Sequence, residues 1–164
     1  MKKKIRDGVF ETNSSSCHAV SFSKHKIMNF ALPTPNDDDF LHMDFGEFGW
    51  EERRYNDPIT KLRYALTMIA MVHQGEFYNA EEFYELDDFK MIDEVVKNKI
   101  DCKGIIMEDS AFDNSDWFGI DGYIDHQSCE CYSCLQDFLN DYDVSLEDFI
   151  FNADVILITD NDNH

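Results

Sequence analysis

The chain has 164 residues, a formal net charge of −20, 43% hydrophobic residues and 14% aromatic residues. That length and apolar content suit one globular domain with a proper core and exclude a disordered chain. No run approaches the roughly 18 apolar residues of a membrane helix. Met1-Lys2-Lys3-Lys4 lacks the apolar stretch of a signal peptide, so a cytoplasmic protein is expected.

In chain order, 3–10 reads as a short strand with Ile5 and Val9 on one face. Residues 18–23 read as a second strand, in which His18, Val20 and Phe22 share a side. Between them Thr12, Asn13, Ser14, Ser15 and Ser16 favour caps and turns, because their side chains bond nearby backbone N–H groups. Two readings stand here. One is a tight strand–loop–strand connection. The other is a polar pocket, with Glu11 and His18 as an acid–base pair and the hydroxyl and amide side chains as ligand contacts.

Pro33 and Pro35 break any helix in the next stretch, and Asn36-Asp37-Asp38-Asp39 is a turn whose acids suit a hard divalent cation without matching an EF-hand loop. Phe45-Gly46-Glu47-Phe48-Gly49-Trp50 reads as a bulged strand or a loop whose aromatics cover the core. Asp57 followed by Pro58 starts the clearest helix, with Ile59, Leu62, Leu66, Ile69 and Val72 as its apolar stripe and Gly75 as its stop. His73 at its end is expected to meet the last carbonyls. Arg53, Arg54, Lys61 and Arg63 gather basic charge near its start and are expected to pair with the acidic C-terminal half.

Asn79 caps a second helical region running to about Lys99, with a break near Asp87-Asp88. Strands are expected at 104–107, at Tyr123-Ile124 and at 155–158. Short helices are expected from about Ser128 to Asn140 and after the capping signature Ser145-Leu146-Glu147-Asp148. Strands and helices mix without βαβ alternation, so the predicted fold is one acidic α+β domain over 1–164. It would consist of a mixed or antiparallel sheet packed by two main helices and short C-terminal ones.

His126, Cys129, Cys131 and Cys134 place four candidate zinc ligands within nine residues. A helix from Ser128 would instead put Cys131, Cys134, Leu135 and Phe138 on one face, making two cysteines small core residues. Five cysteines, an odd number, fit reduced thiols better than a disulfide framework.

The run Gly8-Val9-Phe10-Glu11-Thr12-Asn13-Ser14-Ser15-Ser16-Cys17-His18 resembles the opening motif of a family of small uncharacterised proteins from bacteriophages and Firmicutes genomes. Phe45 to Trp50 with Asn56-Asp57-Pro58, Tyr123 to Ser128, and Thr159 to Asn163 resemble the same family. The resemblance implies a phage or prophage setting and no activity. It draws His126, Gln127 and Ser128 into the polar-site reading.

Charge supplies the remaining expectation. From Gly104 onward there are 15 acids and no Lys or Arg. Such a field repels nucleic acid and anionic membrane and attracts basic proteins or divalent cations. The favoured reading is a phage-type acidic protein that binds and inhibits a basic, nucleic-acid-handling host protein, as a defence antagonist or nucleic-acid mimic. The alternative is a small enzyme using Glu11, His18 and His126, with Asp160 and Asp162 as metal carboxylates. A solvated acidic face that serves solubility alone is the plain third option.

Overall fold

A computed structural model describes residues 18–23, 30–49, 53–112, 119–125 and 132–159. The first strand of the sequence reading, Trp50 and the Gly8–Cys17 part of the motif lie outside the described residues, as do Asp160 and Asp162.

The molecule is built around the helix that Asp57-Pro58 begins. Helix α1 (Pro58–Val72) has Asp57 as its N-cap, whose Oδ1 accepts the Thr60 N–H at 2.8 Å, and Pro58 fills the first turn where no N–H is needed. Its end is marked by the His73 N–H donating to Ile69 O, with Gly75 at a positive φ of 86° just beyond. The stripe Leu62, Leu66 and Ile69 is buried as expected, but so are Lys61, Tyr64, Ala65, Thr67, Met68 and Ala70. A helix buried on nearly every side is the centre of a fold and not one of its outer layers.

Among the described residues, three small sheets lie around α1. The largest is antiparallel, with β7 (Val155–Thr159) between β1 (Ala19–Phe22) and β4 (Arg53–Tyr55). Ile158 faces both Ala19 and Arg54 across the ladders. The other two are parallel pairs. Strand β2 (Leu41–Met43) runs beside β5 (Ile105–Met107), and β3 (Glu47–Phe48) beside β6 (Tyr123–Ile124). The β3–β6 approach needs Gly122, because a Cβ there would fall 2.5 Å from that of Phe45. The fold is therefore α+β with an antiparallel sheet, as the sequence suggests, although the strands divide among three sheets.

The second helical region breaks at Glu85 and Leu86, just ahead of the two aspartates. Helix α2 (Ala80–Tyr84) is capped by Asn79, and α3 (Asp87–Ile100) ends at Asp101 in the left-handed region, φ 57°. Two short helices close the described chain, α4 (Leu135–Asp141) and α5 (Leu146–Phe151). The Ser145 hydroxyl caps α5 by accepting the Asp148 N–H at 3.0 Å, as the sequence predicts.

One boundary differs. Cys134 is extended and stands at the N-cap of α4, so it precedes the helix and does not share a helical face with Leu135 and Phe138. Ser133 marks this start, because its backbone N–H and hydroxyl both donate to Asp137.

The core fills two aromatic nests. Phe45, Phe77, Phe83, Phe89 and Phe112 meet mostly edge-to-face or tilted. Phe48, Tyr64, Phe138 and Phe149 form the other, with His18 against Tyr64. Such ring pairs add to the burial of area itself. Among the described residues no helix is long and apolar enough to cross a membrane.

Candidate functional site

Of the polar-motif and cysteine–histidine candidates, His18 and Cys134 are described. Glu11, Thr12, Asn13, Ser14, Ser15 and Ser16, and His126, Gln127, Ser128, Cys129 and Cys131, lie outside the described residues. The structure places His18 just ahead of β1 and inside the protein, at 3% exposure. Its Nδ1 is hydrogen bonded to the Tyr64 hydroxyl at 3.2 Å, and its carbonyl accepts from the Tyr142 hydroxyl at 3.0 Å. The motif's last residue is thus tied to α1 and to the turn after α4. Cys134 is half-buried and more than a helix away in sequence from Cys102, the other described cysteine. Among the described residues no group of three or more His, Cys, Asp or Glu side chains is arranged to hold a metal ion.

Lys61 was expected to help pair the basic cluster with C-terminal carboxylates. It does reach the C-terminal segment, but through main-chain oxygens. Its Nζ donates to Asn152 O at 2.9 Å and Val155 O at 3.0 Å, from a side chain with no exposed surface. Burial pushes its pKa down from 10.5 to about 8, with Asp57 and Asp148 opposing that shift. This amine joins α1 to the α5–β7 corner, and it loses its charge at mildly alkaline pH without losing its two acceptors.

Two histidines that sequence reasoning did not put in a site are each set between carboxylates. His42 Nε2 lies 2.9 Å from Asp38 Oδ2, and its Nδ1 lies 3.0 Å from Glu108 Oε1. These bonds raise the His42 pKa above 6.5, Asp38 contributing most and Glu108 next. The same His42 bond is the chief cause holding the Asp38 carboxyl below its usual range. His73 has Nδ1 3.0 Å from Glu76 Oε2 and Nε2 3.3 Å from Asp88 Oδ2. It therefore meets carboxylates and not the last carbonyls of α1. Asp88 Oδ2 also accepts the Leu135 N–H at 3.1 Å, linking α1, α3 and α4. Asp38 stands four residues from His42, a weak local signal, whereas Glu108 and Asp88 are brought in by the fold and have none.

Asp38 and Asp39, expected as a cation patch, are occupied within the protein. Asp38 serves His42 and the Phe40 N–H, and Asp39 pairs with Lys103 at 3.1 Å. Other cations are used in the same way. Arg63 pairs with Asp44, Lys90 with Glu85, Lys97 with Asp93 and Lys99 with Glu147.

Exposed acidic side chains are spread over the described surface, and one group of them lies on the α4–α5 hairpin. Asp137, Asp141, Asp143, Glu147 and Asp148 are all exposed there. Among the described residues Lys99 is the cation that forms an ion pair with this hairpin. The Ser133 hydroxyl and N–H hold the Asp137 carboxyl below its usual pKa range, so that charge persists in mild acid. No family model, no curated protein and no solved structure matches the chain.

Proposed function

We propose that this protein is an acidic interaction protein that binds and inhibits a basic, nucleic-acid-handling host protein, using the α4–α5 hairpin as its contact face. The observation that carries the reading is the arrangement of charge. Lys61 is buried and Arg63, Lys90, Lys97 and Lys103 are paired with nearby carboxylates, while the hairpin turns five acidic side chains outward. Long-range fields of this kind accelerate encounter with a positively charged partner and repel other acidic polymers. Duplex DNA presents about one charge per 1.7 Å of axis, so a basic groove built for it accepts a dense acidic face. The phage-type motif supplies a setting in which such an antagonist acts on a host protein.

The enzyme alternative with Glu11, His18 and His126 draws no support from His18, whose ring is buried on Tyr64. The test is capture of bacterial lysate on immobilised protein, eluted with a salt gradient. A near-stoichiometric nucleic-acid-binding partner that leaves as salt rises is the expected result. The triple variant Asp137→Asn, Asp141→Asn, Asp143→Asn should weaken that complex by about tenfold or more at low salt and flatten its salt dependence. An empty column, or a complex indifferent to both salt and the triple variant, overturns the reading.

A further inference from the structure

The His42 ring stands between two carboxylates that arrive from different parts of the chain. Asp38 belongs to the turn at 36–40, which is closed by the Asn36 N–H on Phe40 O at 2.8 Å. Glu108 follows β5, and its own N–H donates to Met43 O at 2.8 Å. An ionised carboxylate only accepts hydrogen bonds, and a neutral imidazole has one N–H to give. A neutral ring would satisfy one of these carboxylates and turn a lone pair toward the other. The imidazolium, with two N–H groups, satisfies both.

We propose that His42 is a proton-operated clamp, which when protonated fastens the 36–40 turn to the end of β5 and when deprotonated lets one of the two carboxylates go. The groups around it are consistent with that role. From the turn come Asp38, with Asp37 and Asp39 beside it. From the far side of β5 come Glu108 and then Asp109. Lys103 is the cation attached to the turn. Its Nζ donates to Asp38 O at 3.1 Å, pairs with Asp39 and lies 5.7 Å from the centre of the Phe40 ring. Lys103 therefore holds the turn in either protonation state, and His42 adds the fastening that responds to pH near neutrality. Ring and carboxylates are partly open to solvent, at 27%, 48% and 51% side-chain exposure, so protons and salt reach them without unfolding.

The sign follows from the raised His42 pKa. The clamp is complete below the ordinary histidine value of 6.5 and is lost as pH rises through the higher midpoint of the folded protein. The clamp is independent of the partner reading and requires no partner to test.

The experiment is an NMR titration of the histidine side chains in the intact protein, with His42 assigned by the signal lost in His42→Gln. The expected midpoint lies above 6.5, and Asp38→Asn and Glu108→Gln each bring it down. Backbone amides of 38–43 and 108 should shift with the same midpoint in the parent protein and not in His42→Gln. A measurement without substitutions runs alongside. Raising NaCl from about 0.05 M to about 1 M should lower the midpoint. A midpoint at or below 6.5, or one that neither carboxylate variant nor salt moves, overturns the clamp.

Discussion

The inner face of α1 and the rim formed by the 36–40 turn solve the same problem in opposite ways. Each must hold polar side chains against distant parts of the chain. Inside, Lys61 meets main-chain carbonyls and His18 meets a phenol, so the bonds join an ionisable group to an uncharged one. At the rim His42 and Lys103 meet carboxylates in reach of water. A bond to a neutral acceptor in a dry site is insensitive to salt and costly to break, whereas an exposed pair is screened and cheap to break. The interior thus fixes the fold, and the rim is free to respond to conditions.

The predictions follow that division, beginning with the interior. Tyr64→Ala removes a fully buried ring that touches Phe48, Phe138 and Phe149 and bonds His18. It should cost about 3–5 kcal/mol in urea unfolding, the range for a large aromatic replaced by Ala. Lys61→Met keeps the volume and strands two carbonyls, with an expected loss of about 1–3 kcal/mol. It also carries a signature in pH. Between about 8 and 10.5 the unfolded chain holds a proton on Lys61 that the folded one has released, so this group makes stability rise with pH across that window. Unfolding measured at pH 8 and pH 10 should show that rise in the parent protein, and Lys61→Met should abolish it.

Asp57→Ala removes the cap of α1 and should cost about 1 kcal/mol. The rim variants rank last. Measured in high salt, His42→Gln should unfold with the parent protein, because the interaction it loses is the screened one. A Lys61 variant that responded to salt as strongly as the His42 variant would break the distinction between interior and rim.

Much of the fold was legible because its signals are local. Asp57-Pro58, Asn79 and Ser145 each cap the helix expected of them, and the Asp87-Asp88 break separates α2 from α3. What could not be read depends on residues distant in sequence. Periodicity counts Lys61 as polar and Tyr64 as off the stripe. Both are buried because α5, β7 and the aromatic nest close over that side of α1. The expected helix from Ser128 is not continuous through Cys134, whose extended backbone precedes α4, and the Ser133 bonds to Asp137 that accompany this start leave no mark in the apolar periodicity. Of the candidate site, the acidic bias of the C-terminal part was plain in the sequence. The pairing of His42 with Glu108 was not, since 66 residues separate them and they meet only when β2 lies beside β5.

The order of the three-stranded sheet has a consequence for how the protein is made. Strands β1 and β4 each bond to β7 and not to one another. A ribosome extends the chain from its N-terminus, so Ala19 to Phe22 and Arg53 to Tyr55 emerge long before Val155. Until then neither has its β7 partner, and α1 lacks the carbonyls that receive Lys61. Pairings that span so much sequence form late and slowly. The early-made part must therefore stay unaggregated with its edges open until the C-terminal strand is made.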